Sequence, residues 1–323
     1  YLLFIFSIVG YSQQTIVDYS DLTPYNNAIE LFNNKSYKAA QKSFASIKEI
    51  ALTNSKLKSD AAYYDALCAV ILHQPEADKK ILAFIEENPN SNKKNKAIIN
   101  VAKYYFANNK AAYALKWFKK VNVDILSKED RKEINFKMGY AYLITENLLL
   151  AKKQFLPLIN DSRYGNDSRY YYGYIAYKLE DYGIAESTLK EIEDDDTYRL
   201  EISYYLLDIS FQSGKFERCI TVGEELIKTA KRKERSEISK IIGESFFNLK
   251  RYNEAIPYLK EYNGKKGKWN NLDFYQLGFA YYKQNDIENA INNFNKIIDE
   301  KNNVAQNAYY NLGECYLKLD KKT

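Results

Sequence analysis

Apolar residues recur along this chain at i, i+3, i+4 and i+7, the spacing of one helix face. They do so in short bursts separated by polar turns such as Lys283-Gln-Asn-Asp286. The bursts come in pairs. In the stretch QLGFAYYKQNDIENAINNF, a small residue, Gly278, marks the first predicted helix and a second, Ala290, marks the next. The position of Gly278 recurs at Ala28, Asp65, Ala102, Gly139, Gly173, Leu207, Gly243 and Gly313, at intervals of 34 to 37 residues. Twelve residues after it stand Ala40, Ala77, Ala114, Ala151, Ala185, Cys219, Ala255 and Ala290. Four further come large residues in most units, among them Phe44, Phe118, Phe155 and Phe294. Small side chains let two helices approach closely, and the large residues fill the space beyond. One such pair cannot bury its apolar face alone, so pairs must stack.

This pattern predicts a repeat array, and the repeats resemble the tetratricopeptide family. The resemblance rests on the small residue, the aromatic Tyr281, the alanine and Phe294. Met138-Gly-Tyr-Ala-Tyr142 with Ala151 and Phe155, and Ile242-Gly-Glu-Ser-Phe246 with Tyr252 and Ala255, match as well. It implies an all-α, right-handed superhelical solenoid of about eight full repeats and a partial ninth. The repeats divide approximately at 21–57, 58–94, 95–131, 132–165, 166–199, 200–235, 236–270, 271–305 and 306–323. Two units depart from the rule. Asp65 stands where a small residue belongs, and a one-residue shift onto Ala66 would restore it. Unit six carries Leu207 at the small position and Gly223 at the large one, so its packing should differ and bend the superhelix locally. The sequence stops in the turn of unit nine, so the natural protein is expected to continue.

In the family the first helices line a concave surface that commonly holds peptides. By that register the groove residues are Phe136, Tyr140, Tyr170, Tyr174, Tyr177, Tyr204, Phe211, Phe247, Tyr275, Phe279, Tyr282 and Tyr310. Tyrosine and phenylalanine offer large contact area at low entropic cost, which suits recognition. The same positions also pack adjacent repeats together, and both readings stand at this point. The carboxylate clamp of some family members needs an asparagine just after the small residue. None of the nine units has one, so the clamp is not supported.

Composition narrows the chemistry. With 47 basic and 42 acidic side chains, the net charge of +5 is small and well mixed. Nucleic-acid binding is not expected, because it needs basic charge gathered on one face. The densest basic run, Lys228 to Arg235, is read as a helix end, where cations suit the dipole. Cys68, Cys219 and Cys315 are odd in number and widely spaced, and are read as buried small hydrophobes. The single histidine, His73, is placed on the surface in a turn. No metal, cofactor or catalytic residue is expected. Asp194-Asp-Asp196 reads as a solvated linker, and Asp167 or Ser168 as the cap of a helix.

The first residues, YLLFIFSIVGYSQQ, form a short uncharged apolar run followed by Ser12-Gln13-Gln14. Residues 1–12 look like the remnant of a secretory signal peptide, with the repeat array over 13–323 and a mature start near Gln13. The run is too short to span a bilayer. The leader and composition resemble envelope tetratricopeptide proteins of Bacteroidetes-type bacteria. Three functions follow as expectations. The first is a non-catalytic scaffold in the periplasm or cell envelope that binds a protein or peptide segment. The second is a glycan- or small-ligand-binding module using groove tyrosines. The third is the sensor region of a larger signalling protein such as a histidine kinase.

Overall fold

A computed structural model describes residues 22–51, 55–297 and 301–319. The leader and the cleavage point near Gln13 lie outside the described residues. Two compact units are present, Tyr1–Ala151 and Lys152–Thr323. Among the described residues every regular element is helical.

In the first unit, α1 (Leu22–Asn33) packs on α2 (Tyr37–Ile50), α3 (Ser55–Ile71) on α4 (Ala77–Glu87), and α5 (Lys94–Ala107) on α6 (Ala111–Phe118). Pairs join through α2 on α3, α4 on α5, and α6 on α7 (Lys128–Ile144). Then comes α8 (Leu148–Phe155), continued by a 3-10 turn at Leu156–Leu158. In the second unit the pairs are α9 (Gly165–Lys178) with α10 (Tyr182–Lys190) and α11 (Arg199–Gln212) with α12 (Phe216–Leu226). They continue with α13 (Arg232–Asn248) and α14 (Tyr252–Glu261), then α15 (Asn271–Lys283) and α16 (Ile287–Phe294). The last helix, α17 (Asn303–Lys318), packs on both α15 and α16. Helices α7, α13 and α17 begin three or four residues before the repeat divisions drawn at 132, 236 and 306.

Each pair is set by the two small residues. Ala28, Ala40, Ala102, Ala114, Ala185, Ala255 and Ala290 are all fully buried. A Cβ placed on Gly278 would lie 2.9 Å from the Phe294 ring, itself fully buried. One placed on Gly243 would lie 2.9 Å from the backbone nitrogen of Leu259. No L-side chain fits there without moving α14.

The turn inside each pair is equally uniform. Seven residues after the small position stands a residue with left-handed backbone: Lys35, His73, Asn109, Glu146, Glu180, Gly214, Lys250 and Asn285, at φ of 52° to 69°. The next amide reaches back five residues to a carbonyl, as Ser36 does to Leu31 and Asp286 to Tyr281, over 2.8–3.0 Å in all eight turns. This is the Schellman closure of a helix end. Seven of the eight closures use a residue other than glycine, each at a cost of order 1 kcal/mol.

That turn settles the register of unit two. His73 lies seven residues after Ala66 and eight after Asp65, so the small position is Ala66, which is buried. The turn is then longer than its companions, with a second left-handed residue at Glu76 before α4 starts. Asp65 is nevertheless buried, and its carboxylate lies 3.3 Å from Lys80 and 3.5 Å from Lys48. Unit six exchanges sizes as expected. Leu207 is buried beside Cys219, and the missing side chain of Gly223 leaves room for Ile242 of α13.

Two local expectations are corrected. The basic run does not simply end a helix: Lys228 follows α12, but Lys231 is the N-cap of α13, with Arg232 and Lys233 in its first turn. That is the unfavourable end of the dipole for cations, and Glu234 offsets it by accepting from the Lys231 amide at 3.0 Å. Neither Asp167 nor Ser168 caps α9, which starts earlier, at Gly165. Asp161 instead accepts from the amides of Arg163 and Tyr164 at 2.9 and 3.0 Å. Ser168 is fully buried with an unpartnered hydroxyl.

All three cysteines are buried and free. Burial, then the Asp65 carboxylate, pushes the Cys68 thiol up to about 12. His73 is exposed, beside the Tyr104 hydroxyl.

The helix crossings predict opposite outcomes for one substitution at two sites. Gly243→Ala should destabilise by about 1–3 kcal/mol through overpacking. Gly313→Ala, where an added Cβ meets nothing within 4 Å, should stabilise by up to about 1 kcal/mol through helix propensity. Thermal melts followed by circular dichroism check both. Equal shifts at the two sites would refute the close crossing at Gly243.

Candidate functional site

The twelve expected groove residues lie on the first helices of their pairs and on α17. Phe136 and Tyr140 are on α7, in the first unit, and both are half-buried. The Tyr140 ring meets Phe106 edge-on at 5.9 Å, and the Lys137 ammonium lies over Phe106.

The other ten are in the second unit and form two aromatic groups with two outliers. The first group joins α9 to α11. Tyr170 stacks on Tyr198 with centroids 4.0 Å apart and planes at 11°. Tyr174 and Tyr177 both meet Tyr205, at 5.5 and 5.0 Å, and Tyr204 meets Tyr205 edge-on. The Tyr177 hydroxyl donates to Asp208 at 2.6 Å, and that of Tyr198 to Asp167 at 2.7 Å. The second group joins α13 to α15. Phe247 and Tyr252 meet Phe279 at 5.9 and 5.7 Å, and Tyr275 stacks on Phe279 at 5.8 Å. Tyr282 completes it, with Lys318 4.2 Å above its ring. Phe211 packs edge-on with Phe216, apart from both groups. Tyr310 on α17 is 70% exposed.

Tyr198, Tyr205 and Tyr252 are in neither the family stripe nor the expected set, yet they hold the groups together. Tyr205 follows Tyr204 directly, so it falls off a stripe spaced three and four. Tyr198 precedes α11 and Tyr252 opens α14, places that a rule written for first helices does not reach.

Lys240 and Glu244 stand at groove positions of the same register, and the tie from Lys240 to Asp273 of the next repeat is not legible in the sequence. Lys240 of α13 lies 2.9 Å from Asp273, 3.9 Å from Glu244 and 4.5 Å above the Tyr262 ring. Asp273 is buried because it also closes the start of α15, exchanging hydrogen bonds with Asn270 at 2.8 and 3.0 Å. Glu244 is buried as well, and burial holds its carboxyl above the usual range against the pull of Lys240. Gln276 Oε1 is buried with no donor.

Asp194 and Asp196 are exposed, and Asp195 accepts from Asn166 and the Thr197 amide, both at 2.9 Å. The Asn166 bond comes first among the causes that lower its carboxyl. Among the described residues no group of three acidic, histidine or cysteine side chains is arranged to hold a metal, and no helix is long and apolar enough to cross a membrane.

The profile of the tetratricopeptide repeat family matches residues 274–300. That span starts on α15, crosses its Schellman turn and takes in α16, the pair whose geometry the other units repeat. Residues 274–300 form a tetratricopeptide repeat, and the other helix pairs repeat its geometry. Similar solved structures include the Pseudomonas aeruginosa pilF structure, 14% identical over 67% of this chain and 96% of its own, with a TM-score of 0.49. A tetratricopeptide repeat protein from Parabacteroides merdae is 12% identical, covering 81% of this chain and 98% of its own, at 0.42. MamA AMB-1 is 14% identical, covering 56% and 96%, at 0.47. The repeats themselves, rather than these distant neighbours, carry the assignment. No curated protein matches the sequence significantly.

The tyrosine groups make the repeat array sensitive to alkali. Burial first, then the bond to Asp208, raises the Tyr177 hydroxyl above its ordinary 10.0, and burial likewise raises Tyr198 and Tyr205. A raised folded value means that the unfolded chain releases these protons first. The stability they contribute is therefore complete below pH 10 and lost as pH climbs above it. Tyrosinate absorbance should rise together with loss of helical circular dichroism. Full tyrosine ionisation with intact helicity would contradict this.

Proposed function

We propose that this chain is a non-catalytic interaction scaffold that holds an extended segment of a partner protein. The partner lies along the first-helix face of the second unit. One observation carries the reading: α9, α11, α13 and α15 present half-buried tyrosines and phenylalanines in two groups, with Asp208, Lys240 and Glu244 on the same helices. Rings already held by their neighbours lose little conformational freedom on binding, and their open edges and hydroxyls remain available to a peptide backbone. The mutual stacking of Tyr170 and Tyr198 takes up one flat face of each ring, surface that a sugar ring would use, which favours a peptide over a glycan.

Panning a random peptide library on the chain tests this. Enriched peptides should bind, and Tyr174→Ala with Tyr282→Ala together should weaken them at least tenfold, about 1.4 kcal/mol, while helicity is kept. Absence of any enriched peptide, or binding untouched in the helical double variant, would overturn the scaffold reading.

The site of action we infer is the periplasm or cell envelope. It rests on the apolar Tyr1–Gly10 run and the polar Ser12-Gln13-Gln14 that follow the pattern of an export signal. Mass spectrometry of the full gene product should find a mature N-terminus close to Gln13. An intact N-terminus in a cytosolic fraction would remove the envelope assignment and leave the scaffold untouched.

A further inference from the structure

A cavity of about 360 Å³ opens where the N-terminal halves of α11 and α13 meet the end of α12. Its apolar wall is Leu226 and Ile238, and its aromatic wall is the Tyr204–Tyr205 pair, with centroids 6.1 Å apart at 69°. Two carboxylates reach it from opposite helices, Glu201 of α11 and Glu237 of α13. Among the described residues neither has a cationic side chain within 4 Å. Basic residues stand on the same rim. Lys231 and Lys233 are exposed and pair with neither, while Glu234 is occupied at the start of α13.

The charge of the cavity shows in its tyrosines. Burial first, then Asp208 and Glu237, pushes the Tyr204 hydroxyl up to about 12, and Glu201 is among the groups that raise Tyr205. An anion placed here would meet two uncompensated carboxylates. A purely apolar group would strip water from them without replacing it. A cation on an apolar stem satisfies every wall: the stem lies along Leu226 and Ile238, and the charge meets the carboxylates and ring faces. Guanidinium suits this better than ammonium. It is planar, stacks on aromatic rings, is more weakly hydrated and offers donors in two directions at once.

We propose that this cavity is the specificity pocket of the scaffold and receives an arginine side chain of the partner segment. The proposal rests on the interaction reading above and adds the chemistry of one position in the partner.

The probe is N-acetyl-arginine methylamide, titrated into the whole chain labelled at leucine and isoleucine methyl groups and followed by NMR. The Leu226 and Ile238 methyls should shift saturably. The citrulline analogue, equal in shape but uncharged, should bind at least tenfold more weakly. Glu237→Gln should weaken the arginine probe by a similar factor with helicity unchanged. No shift at tens of millimolar probe, equal binding of citrulline, or undiminished binding to Glu237→Gln would each overturn the proposal. A lysine analogue binding as tightly as arginine would overturn the choice of guanidinium. The two readings can fail separately. A library peptide bound equally well by Glu237→Gln and the parent chain removes the pocket and leaves the scaffold. An arginine-specific shift without any peptide binder does the reverse.

Discussion

The near-contact of two helices at a pair of small residues governs everything else in this chain. Gly243 and Gly278 put the first helix of a pair so close to the second that a single added carbon would meet Leu259 or Phe294. Each second helix contributes a buried alanine or cysteine on its own side of the crossing. The turn must then reverse the chain within three to five residues, and the left-handed residue with its five-residue amide bond does this in all eight pairs. Buried apolar area supplies the driving force, but the crossing distance decides where each large side chain goes.

Close pairing also determines what the first helices can offer. Because their inner faces are committed to the crossing, the residues between the small and large positions are left to meet neighbouring first helices or a partner. In the second unit this margin is filled by tyrosine, phenylalanine and a few charges. Tyr177 with Asp208, Tyr198 with Asp167 and Lys240 with Asp273 each connect one repeat to the next. The same groups therefore serve two purposes. They hold adjacent repeats in register, and they leave a semi-exposed, ordered surface of the kind the proposed recognition needs.

The alanine ladder was legible in the sequence because burial at a helix crossing tolerates only small residues, whatever their neighbours. Unit two obeys through Ala66, seven residues before His73, whereas unit six buries Leu207 at its small position and compensates with Gly223, which makes room for Ile242. The site was less legible. A stripe counted along one helix finds Tyr170 and Tyr204 but not Tyr198, Tyr205 or Tyr252, because these enter from a turn, a neighbouring face and a second helix. The basic run is ambiguous in the sequence for a related reason: the chain turns between Lys228 and Arg232, so one stretch of charge spans the end of α12 and the start of α13. Pocket chemistry was also hidden, since Glu201 and Glu237 are 36 residues apart and come together only through packing.

The tyrosine–carboxylate ties have a mechanical consequence. Each is a short bond between neighbouring repeats: Tyr177 meets Asp208, Tyr198 meets Asp167, Tyr258 meets Glu224. A pull along the second unit would therefore be resisted by a series of similar clasps rather than by one keystone. Such a series yields link by link and can close again link by link, so its stretch would be graded and recoverable.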